Sequence, residues 1–89
     1  MSIFIESREG SNNVKAKEYN LIRTLVDVQS DFRDRILPAG TVGTVVECYD
    51  NPTEGYAVDL AIPDTSLVGG FDYENVILFP EQFEVMDDN

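Results

Sequence analysis

The sequence predicts a small all-β domain, and three features of the chain support this prediction. Eighty-nine residues with 43% apolar side chains suit one small domain with a single core. Turn signals recur roughly every 8 to 12 residues and separate about five short segments with strand-like composition. No segment has a sustained apolar stripe with the period of a helix. Together these features are typical of a small β-barrel or β-sandwich.

The chain before the first clear turn is predicted as an arm followed by a strand. Residues 1–18 start with the apolar segment 3–5 and continue through a polar stretch, which predicts an N-terminal arm. Whether this arm adds one edge strand stays open. The domain proper is predicted over residues 19–89. Its first strand is residues 21–28, where apolar and β-branched residues recur at period two, and residues 29–40 are typical of a long loop.

Residues 41–49 form the clearest predicted strand. Alternation assigns Val46 and Cys48 to the face toward the core, as part of one apolar row. Glu47 and Tyr49 are then predicted on the outer face. The glycine inside this strand predicts a bulge or a bend, because glycine in a strand interior has no side chain to pack.

The rest of the chain is predicted as further short strands joined by turns. Residues 50–55 combine Asp, Asn and Pro with a closing glycine, which is strong turn chemistry. Residues 56–62 form the next strand, with every second residue from its first tyrosine pointing inward. Strands are also predicted at residues 76–79 and 84–86, with a single helical turn between them. The sequence shows no internal repeat.

Charge is the most uneven property of the chain. All six lysines and arginines lie at or before Arg35, whereas residues 36–89 carry eleven acidic side chains and no basic one. The whole net charge of -11 therefore belongs to the second part of the chain. We do not expect nucleic acid as a partner, because affinity for phosphates comes from lysine and arginine. An anionic membrane surface is disfavoured for the same reason.

The sequence also predicts where the protein resides. No apolar run approaches the roughly 18 to 20 residues that a membrane span needs. The N-terminus lacks the basic start and apolar stretch of a signal peptide. Cys48 is the single cysteine, so an internal disulfide framework is ruled out. We therefore expect a soluble, cytoplasmic protein, and the sequence does not predict its oligomeric state.

Residues 37–47 read Leu-Pro-Ala-Gly-Thr-Val-Gly-Thr-Val-Val-Glu. This segment resembles the small bacterial SH3-like barrel domains with the pattern Leu-x-x-Gly-x-x-Gly-Thr-Val-Val-Glu. Residues 56–60 and 76–85 are similar to the later strands of that family, so the resemblance covers roughly residues 21–85. It implies a five-stranded SH3-like barrel after the short arm. The family has no established function, but its members are often encoded beside polymorphic toxins, which implies immunity roles for some.

The residue types needed for catalysis or metal binding are scarce. The chain has no histidine, so a Ser-His or Cys-His nucleophile pair cannot be built. The usual zinc sites are excluded for the same reason, together with the single cysteine. The acidic turn at residues 50–55 does not have the ligand spacing of a calcium loop. We therefore predict no enzyme activity, no metal site and no cofactor.

The candidate binding residues are acids and tyrosines on outward strand positions or adjoining turns. A surface of one charge sign steers a basic partner and raises its association rate. A tyrosine ringed by carboxylates can fill a pocket while the acids pair with arginine at the rim. Tyr56 and Phe71 are assigned to the core instead. The predicted partner-binding residues are Glu47, Tyr49, Asp50, Glu54, Asp59, Asp64, Asp72, Tyr73 and Glu74.

These observations lead to one functional interpretation and two alternatives. The first is an acidic interaction module that binds and inhibits a basic protein, as an immunity protein or antitoxin that blocks the active site of a cognate toxin. One alternative is a small docking subunit of a larger enzyme complex, whose acids confer solubility. The other is an inhibitor that mimics nucleic acid, which requires carboxylates spaced like phosphates.

Overall fold

The computed structural model describes residues 14–86. They form seven β-strands and one turn of 3₁₀ helix, and the prediction of an all-β chain is confirmed. The strands are β1 (Leu21–Thr24), β2 (Val28–Gln29), β3 (Ile36–Leu37), β4 (Val42–Tyr49), β5 (Gly55–Pro63), β6 (Phe71–Leu78) and β7 (Phe83–Val85), and the 3₁₀ turn is Pro80–Gln82. None of the helical segments in the described part of the chain is long and apolar enough to cross a membrane. The apolar segment 3–5 of the predicted arm lies outside the described residues.

The strands form two antiparallel sheets. The large sheet has five strands in the order β6-β5-β4-β1-β7, and β2 pairs with β3 in a small second sheet. The longest pairing joins β5 to β6, from Tyr56 opposite Leu78 to Pro63 opposite Phe71. The large sheet therefore has β6 at one edge, with the β4–β5 turn and the β5–β6 loop at opposite ends.

The core lies on one face of the large sheet, which we call the inner face. On β5 the prediction is confirmed, because Tyr56, Val58 and Leu60 are fully buried. The rings of Tyr56 and Phe83 meet edge to face, with centroids 5.3 Å apart. These side chains pack with others from every strand of the large sheet and from the β2–β3 hairpin. The other members of this core are Ala16, Ile22, Val28, Leu37, Val45, Val76 and Leu78.

The predicted core face of β4 is wrong before its bulge, where Gly43 and Val45 lie toward the core and Val46 is 37% exposed. After the bulge Cys48 pairs with Tyr56 and lies on the predicted face, but it is exposed and not buried as predicted. β4 carries β-branched residues on both faces, so alternation alone did not identify the buried one. The strand has a bulge, but as a register shift between Val45 and Glu47 in the pairing with β5 and not at Gly43, where it was predicted.

Three other segments differ from the prediction. The strand predicted over residues 21–28 is divided into β1 and β2, and the intervening Leu25 donates its backbone N–H to the carbonyl of Gln82, 2.8 Å away. The segment predicted as a long loop contains the β2–β3 hairpin. β6 begins at Phe71, five residues before the predicted strand, because it pairs with β5 along its whole length.

Candidate functional site

The structure does not bring all nine predicted binding residues together. One group of four lies at the β4–β5 turn, one residue lies in the middle of β5, and another group of four lies near the β5–β6 loop. β5 spans about 26 Å between these two ends at the usual rise per residue. The three sets are Glu47, Tyr49, Asp50 and Glu54; then Asp59; then Asp64, Asp72, Tyr73 and Glu74.

Two acids of β6 are held by this chain's own arginines. The carboxylate of Glu74, only 6% exposed, accepts hydrogen bonds from Arg35 Nη2 at 2.8 Å and from the hydroxyl of Ser30. Asp72 accepts hydrogen bonds from Arg33 Nη1 at 2.8 Å and from Arg35 Nη2 at 3.4 Å. We call these five residues the ionic clasp. It ties the β2–β3 hairpin to β6 and supplies the partner that a buried carboxylate requires.

The clasp determines how its groups titrate. The hydrogen bond from Ser30 and the nearby Arg35 hold the pKa of Glu74 below its ordinary value of 4.5. The hydrogen bond from Arg33 lowers the pKa of Asp72 below 3.8. The hydrogen bond with Glu74 raises the pKa of Arg35. These directions favour the ionised pairs, so Asp72 and Glu74 are carboxylates at neutral pH.

Acid should weaken the clasp. Both carboxyl pKa values are lowered in the folded state, so their stabilisation is present above the ordinary values and is lost as pH falls through the folded ones. We expect Glu74→Gln to lower the free energy of unfolding near neutral pH, with a loss that shrinks as pH falls from about 6 to about 3. Urea unfolding at several pH values checks this. Glu84→Gln is the control, because the pair of Glu84 with Arg23 is half-exposed and worth little. If Glu74→Gln lowers the free energy of unfolding by the same amount at every pH, Glu74 does not stabilise the fold as an ionised carboxylate.

Glu54, the acid at the end of the β4–β5 turn, also forms hydrogen bonds within the chain. Glu54 accepts hydrogen bonds from the Tyr56 hydroxyl and from the backbone N–H of Lys15, the latter at 2.9 Å. The Nζ of Lys15 donates to the carbonyl of Pro80 at 2.6 Å and lies 4.7 Å from the centroid of the Phe83 ring. Burial, and next the hydrogen bond to Glu54, raise the pKa of Tyr56. Glu54 thus fixes residue 15 against the sheet.

The other predicted acids form no ion pair with a residue in the described part of the chain. Within residues 14–86 the salt bridges join Arg23, Arg33 and Arg35 to acids of β6 and β7, and none involves Glu47 or Asp59. Asp50 and Asp64 likewise have no cation within salt-bridge distance in that part of the chain. Asp64 accepts hydrogen bonds from the hydroxyl and the backbone N–H of Ser66, which lower its pKa.

The face of the large sheet opposite the core, which we call the outer face, carries both unpaired acids and exposed apolar side chains. Strand register places Glu47 beside Ala57, and Ala57 beside Ile77, so the three share this face, because directly paired residues share a face. Asp59 accepts a hydrogen bond from Asn75 Nδ2 at 2.8 Å in the next row. Tyr49, like Glu47, is exposed, and the hydrogen bond to Glu47 raises its pKa. The exposed apolar side chains here are Leu21, Val42, Phe71, Tyr73 and Ile77.

A groove lies on the outer face near the β5–β6 loop. It encloses about 550 Å³. The rings of Phe71 and Tyr73 neighbour each other here, with centroids 6.4 Å apart. Phe71 is 45% exposed, so its predicted place in the core is wrong. The groove is lined by Pro38, Ala39, Gly40, Thr41, Val42, Ala61, Pro63 and Phe71.

Sequence reasoning missed the groove because its walls come from three separate segments. The outward position of Ala61 on β5 was predicted, and it is the one sequence feature that pointed to a lining residue of the groove. The approach of residues 38–42 to Ala61 follows from strand pairing, which sequence did not show. In residues 14–86, no three Asp, Glu or Cys side chains converge as they would to hold a metal ion.

Comparison with known proteins gives no match. No protein-family model fits the chain, and no curated protein or solved structure is significantly similar to it. The functional argument therefore rests on the residues and their arrangement.

Proposed function

We propose that this chain is an acidic interaction module that binds and inhibits a basic protein. Its role would be that of an immunity protein or antitoxin that blocks the active site of a cognate toxin. We further propose an SH3-like barrel as its fold. Support for the fold comes from the five-stranded antiparallel sheet and from the motif at residues 37–47, which forms the start of β4 and the turn before it.

One observation carries the proposed function. The outer face places carboxylates without an ion-pair partner among the described residues next to exposed aliphatic and aromatic side chains. Glu47 lies in the same cross-strand row as the half-exposed Ile77, with Ala57 between them, and Asp59 lies one row from the exposed Tyr73. Interfaces that bind tightly combine apolar anchors with charges that speed and orient the encounter. The acids of the clasp and Glu54 stabilise the fold, whereas Glu47 and Asp59 form no salt bridge within residues 14–86.

A docking subunit is the second candidate function. The apolar groove favours it, because a subunit that binds through apolar surface needs no excess of charge on that surface. The two functions differ in their response to salt. Screening weakens an interface between opposite charges, whereas burial of apolar surface is much less affected.

A pull-down from a lysate of the native cell separates the two functions. We expect one stoichiometric basic enzyme to be retained at about 50 mM salt and lost or slowed at about 300 mM salt, which straddles weak and strong screening. Inhibition of that enzyme by the purified chain would then establish the role. Retention of a larger assembly at both salt concentrations would favour the subunit instead.

The outer-face acids should be dispensable for folding. We expect the double variant Glu47→Lys with Asp59→Lys to keep or raise the thermal unfolding midpoint at low salt, because it relieves self-repulsion within the acidic part. Circular dichroism in buffer of low ionic strength measures this. Glu74→Lys is the comparison, and it should lower the midpoint because it places a cation beside Arg35. A large loss of stability in the double variant would show that Glu47 and Asp59 support the fold.

A further inference from the structure

The groove on the outer face has apolar walls and a shallow floor. Val42 and Ala61 lie on neighbouring strands of its floor, and Phe71 with Pro63 forms the side toward the β5–β6 loop. Residues 38–41 form the opposite side. Its volume of about 550 Å³ lies within the range of sites that bind small ligands, which leaves ample room for one large apolar side chain. Phe71 is 45% exposed, so part of its ring is free to contact a partner.

The side made by residues 38–41 is held by hydrogen bonds within the chain. Ala39 donates its backbone N–H to Asp27 Oδ1 at 2.9 Å, and Gly40 donates to the carbonyl of Thr24 at 2.8 Å. Thr41 donates its N–H to Thr24 Oγ1 at 3.1 Å and its hydroxyl to the carbonyl of Pro38 at 2.6 Å. These polar groups are therefore satisfied without a ligand. A preformed apolar groove loses little ordering entropy when it binds.

The surroundings of the groove are negative. Asp27 lies at its rim through the bond to Ala39, and Asp59 lies two residues from Ala61 on the same face of β5. Arg23 lies opposite Val42 on this face and is paired with Glu84. A second copy of this chain would bring another net charge of -11 and be repelled, whereas lysine or arginine beside an apolar side chain would complement the rim.

From this charge complementarity, and resting on the proposed function, we propose that the groove is an anchor pocket. Its occupant is one leucine-sized or phenylalanine-sized side chain of a basic partner protein, in a segment with lysine or arginine on both sides. Asp27 and Asp59 contact the flanking cations, and Val42, Ala61 and Phe71 contact the apolar side chain. This assigns the position at which a partner is anchored on the outer face.

The test titrates peptides into isotope-labelled protein and follows backbone amides by NMR. The probe is acetyl-Lys-Arg-Lys-Leu-Lys-Arg-Lys-amide, and its comparison has alanine in place of leucine. We expect the leucine peptide to shift the amides of Val42, Ala61 and Phe71 and to bind about tenfold or more tightly than the alanine peptide, because only leucine buries a full side chain. A third peptide with glutamate in place of every lysine and arginine should not bind.

The outcomes separate the groove from the proposed function. If both basic peptides bind equally and shift only amides around Glu47 and Asp50, the anchor pocket is wrong while an acidic interaction surface stands. If neither basic peptide binds the outer face, both proposals are contradicted. A leucine preference that maps onto the groove supports both.

Matched variants test the groove itself. Ala61→Leu fills the floor, and it should remove the preference for the leucine peptide while binding of the alanine peptide remains. Phe71→Ala removes one wall and should lower the affinity for the leucine peptide about tenfold, whereas Ile77→Ala should leave that affinity unchanged. Ile77 is a close control, since it lies on the same strand and face, is 46% exposed and does not line the groove. An unchanged leucine preference in both Ala61→Leu and Phe71→Ala would overturn the anchor pocket. Unchanged thermal midpoints establish that the variants are folded.

Discussion

Replacing Tyr56 by alanine is expected to destabilise the domain by about 3 to 5 kcal/mol, as for other large aromatic side chains truncated in a core. Tyr56 is fully buried, packs edge to face on Phe83 and places its hydroxyl at the point where residues 15 and 16 meet the sheet. A small domain often has only about 5 kcal/mol to lose. A large fraction of Tyr56→Ala molecules should therefore be unfolded at room temperature, as measured by urea titration.

Tyr56→Phe separates the ring from the hydroxyl. It keeps the packing on Phe83 but removes the group that binds Glu54 and the backbone N–H groups of Lys15 and Ala16. We expect a loss of about 0.5 to 1.5 kcal/mol, which is typical of one hydrogen-bonding group. An alanine variant no less stable than the phenylalanine variant would contradict the central place of this ring in the core.

The second large effect is expected at Gly43. A Cβ there would lie 2.7 Å from the backbone oxygen of Asp59 and 2.8 Å from side-chain atoms of Val58 and Leu60. The oxygen belongs to the paired strand β5, so relief of the clash requires β4 and β5 to separate. We expect Gly43→Ala to destabilise the domain by about 1 to 3 kcal/mol, the usual cost of overpacking a core.

Gly55→Ala is the matched control for this prediction. Gly55 is also buried in a strand, but a Cβ there would meet its nearest neighbour, the Phe79 ring, at an ordinary 3.7 Å. We expect an effect within about 0.5 kcal/mol or a small gain, because alanine restricts the unfolded chain more than glycine does. Equal losses at the two glycines, measured by denaturant unfolding, would show that strand propensity and not close approach decides the effect at Gly43.

The contrast between β4 and β5 shows where sequence patterns determine structure. β5 alternates small or acidic residues with large apolar ones, so its large side chains all lie on one face, and the assignment of Tyr56, Val58 and Leu60 to the core was correct. β4 has valine on both faces, and the close approach at Gly43 places that residue toward the core. The register shift after Val45 then exposes Glu47 and its neighbours. Neither effect can be deduced from period-two alternation.

The candidate surface was predictable only in part. The absence of lysine and arginine from residues 36–89 indicated an acidic surface. It did not indicate that arginines from the first part of the chain pair with two of these acids in the ionic clasp. Arg35 reaches Glu74 across 39 positions of sequence, and Arg33 is equally far from Asp72. Such pairs depend on how the β2–β3 hairpin packs on β6, which single-sequence patterns do not specify. Among the described residues, the predicted acids that form no ion pair are therefore a smaller set than the sequence predicted.

The proposed function requires that a basic partner binds the outer face through Glu47 and Asp59, which form no salt bridge among the described residues. The most direct measurement is the affinity of the captured partner, by calorimetry at matched salt, for the wild type and for two charge-reversed variants. Glu47→Lys with Asp59→Lys changes the outer face, and Asp31→Lys with Glu81→Lys makes the same change in net charge at exposed positions of the β2–β3 hairpin and the 3₁₀ turn. We predict at least about a tenfold loss for the first variant and less than about threefold for the second, since close interfacial charges matter more than net charge. Unchanged affinity in the first variant, or equal losses in both, would contradict the claim.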